Sequence, residues 1–406
     1  MTGRPSPVPR DGLAVEARRR PGLVVVVAFV VTLAGRFTLD RIGVQVPLLA
    51  DVRVPLFSLL LMSFALELSH AGHRSAGTGT RSLLAVLLLL AYQILSATWA
   101  PANAVTGPAV GDLVAVAILV FVYVTLAEWD RDLVVTVTLG CFQATAWIYF
   151  LAGAAGLGRA PNGRWAALGG GPNVFVRIMV LGALSSVYFY GRSGRRIVWL
   201  TGIPAFLTGA LASGSRGGIA ALFITALLAL PSMMPGLRSR GGFKPVATVV
   251  VLIAVTWLVA GDSIGAFIQE RFVAATFQQG YASDRNILFK MALDLFLQRP
   301  FLGTGVNGFY AVTNLGFGER YVHNLPLAVA AEGGIIGLFL LVNAFYQLRH
   351  EFARVPAGQR SPESRAAAYC GIFVGSACLF SGDYYDARLM WIMLVLAAVR
   401  PAREVA

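Results

Sequence analysis

Apolar residues run along this chain in long blocks separated by short polar breaks, instead of the period-two or three-to-four spacing that marks a half-exposed element. A block near 20 residues crosses about 30 Å of hydrocarbon at about 1.5 Å per helical residue, and about twelve candidate blocks of this kind are present. They begin near Pro21, Val54, Leu83, Val110, Leu133, Asn173, Ile197, Gly217, Val246, His323, Ala366 and Ala387. The pattern predicts an all-α polytopic membrane protein of about 12 transmembrane helices. Residues 1–20 carry five Arg and no apolar core, so they read as a cytoplasmic basic tail rather than a signal peptide. Residues 21–399 then form one transmembrane domain and 400–406 a second short cytoplasmic tail. The two halves show no similarity, which counts against a carrier built from inverted repeats.

Two polar breaks are longer than the rest. Residues 347–365, QLRHEFARVPAGQRSPESR, read as a solvated cytoplasmic connector. Residues 263–322 mix both charges with aromatics such as Phe272, Phe309 and Tyr321, a composition suited to an ordered loop and not to a linker. Inside it, RNILFKMALDLFLQ over 285–298 predicts a short helix, with Asp284 as its N-cap and Arg299-Pro300 as its stop. The following FLGTGVNGF turns the chain back toward the next block.

Composition agrees with the pattern. The 406 residues are 57% hydrophobic and 13% charged, against about 25% charged in a soluble domain. The formal charge of +13 does not point to nucleic acid, because the basic residues alternate between sides. With the N-terminus inside, about 20 of the 33 fall in cytoplasmic segments, which sets both termini in the cytoplasm and the 263–322 loop outside. Cys141, Cys370 and Cys378 lie within predicted spans and imply no disulfide framework. Four histidines without HxxxH spacing give no metal signature.

Polar residues at the outer ends of spans are the candidates for chemistry. Arg216, in LASGSRGG, starts a helix whose N-terminal N–H groups and dipole suit an anion, although a lone arginine there also fits a snorkelling side chain. Arg285 follows Asp284 at the start of the loop helix, and His323-Asn324 stands where the loop re-enters the membrane. Glu332 lies two to three turns inside LPLAVAAEGGIIGLFLL and needs a partner or a polar cavity. GTGVNG, Gly303 to Gly308, matches GxGxxG but lacks a preceding strand and reads as a tight turn. Asp130-Arg131-Asp132 reads as a solvated charge cluster, not a metal site. Asp383, Tyr384, Tyr385 and Asp386 form a polar turn that either lines a site or caps helices.

Several segments together resemble the O-antigen ligases and O-antigen polymerases: SATWAP (96–101), GRWAALGGGPN (163–173), GSRGG (214–218), DRN (284–286), QRPFLGTGVNGF (298–309) and HNLPLAVAAEGGIIGL (323–338). The resemblance implies transfer of a glycan from an undecaprenyl-diphosphate carrier to an acceptor sugar hydroxyl at the outer face of the inner membrane, without metal, nucleotide sugar or other cofactor. It implies a lipid-linked glycan donor, a glycan or lipid acceptor, membrane lipid and other polysaccharide assembly proteins as partners. Carried residue by residue, it gives Arg216 and Arg285 to the diphosphate and His323 to the acceptor proton. Glu332, Asn324, Arg164 and Asn173 are accessory candidates. The motifs do not separate ligase from polymerase. A flippase or other glycan transporter, for which Glu332 would be the evidence, and a non-catalytic assembly scaffold are the alternatives.

Overall fold

A computed structural model describes residues 21–35, 52–71, 80–160, 163–167, 170–194, 196–237, 250–251, 269, 285–313 and 321–400. The basic tail, most of the block starting near Val246, Asp284 and the first part of the long loop lie outside the described residues.

Among the described residues the chain is helical apart from one isolated bridge between Ala167 and Gly170. The helices are α1 (Gly22–Ala34), α2 (Arg53–Ala71), α3 (Thr80–Leu95), α4 (Thr106–Ala154), α5 (Pro172–Arg192), α6 (Gly202–Ala212), α7 (Arg216–Leu237), α8 (Arg285–Gln298), α9 (Gly308–Thr313), α10 (Leu325–Ala353), α11 (Pro362–Cys378) and α12 (Arg388–Ala398). Among the described residues four stretches are long and apolar enough to cross a membrane, Arg81–Thr98, α4, α5 and α10. Gly22–Ala34, Ile197–Ala212, Arg216–Ala229 and Arg388–Ala398 are shorter apolar helices. α4 covers 49 residues, about 74 Å at the α-helical rise and too long for one crossing. It breaks at Asp130 (φ −155°, ψ 82°) into 106–129 and 131–154. The Asp130 carboxylate accepts from Leu133 N at 3.0 Å, so it caps the second half.

Leu59, Met62 and Leu66 on α2 and Phe339 and Val342 on α10 are large apolar side chains turned outward. Such a surface suits lipid, while the backbone is satisfied inside each helix. Close approach between helices relies on small residues. A Cβ on Gly182 of α5 would stand 2.3 Å from the Ala146 Cβ of α4.

Two polar segments are more buried than their sequence suggests. Arg131 is only 3% exposed; it donates to Val399 O at 3.0 Å and to Ser361 Oγ at 3.1 Å. It therefore pins α4 to α11 and α12, in place of the expected solvated cluster. The expected connector 347–365 is also shorter than its polarity implied, because α10 continues to Ala353 and α11 starts at Pro362. Glu351 and Glu363 are buried. Arg354 lies 3.0 Å from Glu351, and Glu363 accepts from Tyr188 Oη at 2.8 Å and pairs with Arg192. Buried carboxylates persist here because cations converge on them, along the chain for Glu351 with Arg354 three residues on, and from another helix for Glu363 with Arg192.

The feature that shapes the outer half of α10 is a break at Gly334 (φ 61°, ψ −158°). The break deprives Ile335 and Ile336 of their carbonyl partners four residues back, and the 299–308 segment replaces both sides of the lost bonds. Ile335 N donates to Pro300 O at 2.7 Å, while Ala331 O and Glu332 O accept from Thr304 N and Gly305 N, each at 2.9 Å. Tyr92 Oη donates to Gly333 O at 2.8 Å. The same segment is bolted to the SATWAP stretch: Val306 N donates to Ser96 Oγ at 2.9 Å and Trp99 Nε1 to Leu302 O at 3.3 Å. Gly303 and Gly305 have φ of 68° and 82°, and a Cβ on Gly303 would meet the Glu332 carbonyl carbon at 2.4 Å. GTGVNG is thus a tight turn, as expected, but one buried in the bundle against a broken helix.

Candidate functional site

The predicted residues are organised by the turn between α11 and α12. Three consecutive residues of that turn each hold a different segment. Leu379 O accepts from Asn324 Nδ2 at 3.0 Å. Phe380 packs on the start of α7 so closely that a Cβ on Gly217 would lie 2.4 Å from its Cβ. Ser381 Oγ accepts from Asn173 Nδ2 at 3.0 Å, and Ser381 O accepts from the Arg177 guanidinium.

Arg216 is the first residue of α7 and is half-buried. Its place follows from the residues around it. Gly214 takes φ 60° in the turn after α6, which a glycine adopts without a side-chain penalty. Ser215 then donates to Asn173 Oδ1 at 2.9 Å and accepts from Gly218 N at 3.4 Å, capping the helix. Gly218 lies against Val176, where a Cβ would come within 2.4 Å. Arg164 reaches the same turn from the other side and donates from Nε to Ser213 O at 2.7 Å, beside the Trp165 N to Ala212 O bond of 3.0 Å. Arg164 and Asn173 are therefore latches on the α6–α7 turn that presents Arg216.

His323 is 8% exposed and has φ 61°, a left-handed conformation uncommon outside glycine. It is followed by a strong helix start. Asn324 accepts from Leu327 N at 3.0 Å as the N-cap of α10, with Pro326 in the first turn. The His323 ring centroid is 4.0 Å from that of Tyr321. Burial, then Asp386 and Asp383, hold the Tyr321 phenol well above its ordinary range.

Glu332 is buried two turns into α10, next to the break. Its Oε1 accepts from Phe309 N at 3.4 Å, and the buried Tyr384 hydroxyl faces it from the α11–α12 turn. Arg285 opens α8 and is half-buried. That helix docks through Leu288, Ala292 and Leu295 on a cluster containing Val322, Ala328 and Ala331, with Tyr384 packed against it. α8 occupies 285–298, the range its sequence predicts.

The structure brings Arg164, Asn173 and the Arg216 helix start together through direct hydrogen bonds, and adds Asn324 through the α11–α12 turn. Glu332 joins through Tyr384. α8, which starts at Arg285, shares an apolar cluster with Val322, the residue before His323. Sequence reasoning missed Arg177, which is 5% exposed, bonds Ser381 and lies 3.6 Å from Asp386. The signal was present: an arginine in the apolar run NVFVRIMVLG is costly unless paired. The polar turn also caps itself, with Asp386 N donating to Asp383 Oδ1 at 2.9 Å. It ties to α1 through Tyr385 Oη to Gly35 O at 3.2 Å and Arg388 Nε to Thr32 O at 2.7 Å.

Helices of membrane-spanning length and composition, with a cation-bearing polar cluster at one end of the bundle, are consistent with a polytopic membrane protein. Residues 203–342 match the family model described as O-antigen ligase, which supports assignment of the chain to the O-antigen ligase/polymerase family. The matched stretch contains Arg216, Arg285, His323, Asn324 and Glu332, while Arg164, Asn173, Arg177 and the α11–α12 turn lie outside it. No curated protein matches the sequence.

Proposed function

We propose that this protein is a membrane-embedded glycosyltransferase of the ligase/polymerase type, moving a glycan from an undecaprenyl-diphosphate carrier to an acceptor sugar hydroxyl on the outer face of the inner membrane. The observation that carries the reading is the presentation of Arg216 at the N-terminus of α7, latched by Asn173 and Arg164, beside the turn that also anchors Asn324, next in chain to His323. A guanidinium at a helix N-terminus is suited to a diphosphate, because directed N–H groups and a positive dipole end add to its fixed charge. Arg285 supplies the second guanidinium from α8.

In this mechanism the acceptor hydroxyl attacks the anomeric carbon while His323, neutral, takes its proton. The bond from the anomeric carbon to the diphosphate oxygen breaks, and its electron pair leaves with the lipid diphosphate. Arg216 and Arg285 offset the negative charge that grows on that group, the task for which preorganised cations contribute most. The proton on His323 is then released to solvent or to the departing diphosphate. The reaction is metal-independent in this scheme because two guanidinium groups do the charge compensation. The acceptor is a glycan or a lipid, and other polysaccharide assembly proteins are the expected neighbours.

A transporter is the second reading, favoured by one observation: α10 is broken near a buried carboxylate, a device carriers use for substrate sites. Against it, the Glu332 carboxyl is engaged by Phe309 N and faced by Tyr384.

The test is glycan transfer by purified protein supplied with a lipid-diphosphate oligosaccharide and acceptor. Arg216→Ala and Arg285→Ala should each lower turnover by about a hundredfold or more, the scale of losing one preorganised donor to a developing oxyanion. Asparagine tolerates a left-handed backbone, so His323→Asn separates loss of the base from loss of the fold; it should lower kcat with little change in thermal stability. Wild-type transfer by either arginine variant would sink the mechanism, and normal turnover in His323→Asn would remove the base. In cells lacking the protein, lipid-linked glycan should accumulate on the outer leaflet; retention on the inner leaflet would favour the transporter.

A further inference from the structure

At the far end of α10, α11 and α12 from the candidate site lies a cavity of about 80 Å³, lined in part by Arg131, Glu351, Arg360, Ser361, Ser364 and Arg400. A volume of that size holds on the order of five waters, or a phosphate group. Its polar lining is unevenly committed. Arg131 is engaged by Val399 O, Ser361 Oγ and Asp132. Glu351, 1% exposed, has Arg354 at 3.0 Å and His350 Nδ1 at 4.0 Å.

Arg360 and Arg400 differ. Arg360 donates Nε to Val355 O at 2.9 Å and stacks over Phe352 at 4.1 Å. These contacts fix the guanidinium plane and leave both Nη groups without a hydrogen-bond acceptor among the described residues. Arg400 comes no nearer to Glu351 than 4.0 Å, and its buried Nε has no hydrogen-bond partner among the described residues. Glu351 pairs with Arg354, although its Oε1 accepts no hydrogen bond among the described residues; against that one carboxylate the lining carries Arg131, Arg360 and Arg400, so its balance is positive and the last two have donors to spare. The N-terminus of α11, capped by Ser361, adds its positive dipole end to the same wall.

We propose that this cavity is a binding site for a phosphate-bearing anion, held by Arg360 and Arg400. The sources of that chemistry are the headgroup phosphate of an anionic phospholipid and free phosphate. Basic pockets between helix ends at a membrane surface take the former, and a stacked, planar guanidinium is preorganised for phosphate of either kind. The site is independent of the glycan-transfer reading, since it shares no residue with that end of the bundle.

The experiment uses full-length protein in detergent, with native mass spectrometry for retained lipid and thermal melting for the anion. Phosphatidylglycerol should be retained in preference to phosphatidylcholine, and the double variant Arg360→Gln/Arg400→Gln should lose that preference by roughly tenfold, about 1.4 kcal/mol. Arg349→Gln, an exposed arginine near the same end, should change nothing. Stabilisation by phosphatidylglycerol but not by inorganic phosphate identifies a lipid headgroup; stabilisation by inorganic phosphate with the same variant dependence identifies a soluble anion. The proposal is overturned if the wild type prefers neither, or if Arg349→Gln loses as much as the double variant. Should the double variant fail to purify, Arg360→Gln alone carries the test with the same two outcomes.

Discussion

His323 and Gly303 both sit at positive φ, for opposite reasons. At Gly303 the conformation is free of cost, and the absence of a Cβ is what lets the turn lie against the α10 backbone. Gly303→Ala would place a carbon 2.4 Å from the Glu332 carbonyl carbon and 2.6 Å from Gly333 N, neither of which can rotate away. We expect a loss of about 3 kcal/mol or more from this strain and clash. Gly163 also has positive φ, at 75°, but a Cβ there would meet nothing within 4 Å. Gly163→Ala should therefore cost only about 1–2 kcal/mol, the backbone penalty alone. Thermal melts of the two variants in detergent check the comparison, and equal losses would mean that the wedge at Gly303 is not what holds the turn. At His323 the left-handed backbone is instead a strain held by its surroundings, the N-cap of Asn324 and its bond to Leu379 O. Strain kept at a polar, buried imidazole is compatible with the proton-accepting role proposed for His323.

At the scale of elements, α10 and the 299–308 segment are one unit. The break at Gly334 would leave amides and carbonyls orphaned inside an apolar bundle, where each unmet group costs about 1–3 kcal/mol. The segment removes that cost by exchanging hydrogen bonds with both sides of the break. Its second support is Ser96, which accepts from Val306 N at 2.9 Å. Ser96→Ala should orphan that amide, lower stability by about 1–3 kcal/mol, and speed hydrogen exchange at Val306 and its neighbours. Exchange at Val306 that is unchanged from wild type would show that the turn is held without Ser96. Three of the recognised segments, SATWAP, QRPFLGTGVNGF and the EGG of α10, thus act as structure around Glu332, whereas GRWAALGGGPN and GSRGG position Arg216.

The whole molecule places two polar ends on one set of helices. α5, α10, α11 and α12 run from the Arg216 and His323 end to the end bearing Glu351, Glu363 and Arg131. Between these ends α5 and α10 are long and apolar enough to cross a membrane, while α11 and α12 are largely buried inside the bundle. Charge bias predicts that the first end faces out and the second faces the cytoplasm. Single cysteines test this. Ala102→Cys, in the exposed turn beside SATWAP, should react with an impermeant maleimide in intact cells, and Gly358→Cys, exposed between α10 and α11, only after permeabilisation. The reverse pattern would invert the topology and put the proposed site on the wrong side for a translocated lipid-linked donor. Cys370 and Cys378 are buried but Cys141 is half-buried, so both variants are made on a Cys141→Ala background.

Much of this was legible along the chain. Helix starts near Leu83, Asn173 and His323, the 285–298 helix and the membrane character follow from block length, caps and breakers, which are local properties read in one dimension. Arg216 and His323 become candidates from sequence alone because arginine and histidine beside small residues at helix starts stand out in an apolar chain. What the sequence could not decide was commitment. Whether Arg131 is solvated or buried, whether Arg164 faces a ligand or latches Ser213, and whether GTGVNG lies over the bundle or within it depend on which helices meet. So does the part played by Arg177. Hydrogen bonds and ion pairs between residues far apart in the chain settle those questions, and only the tertiary structure sets them.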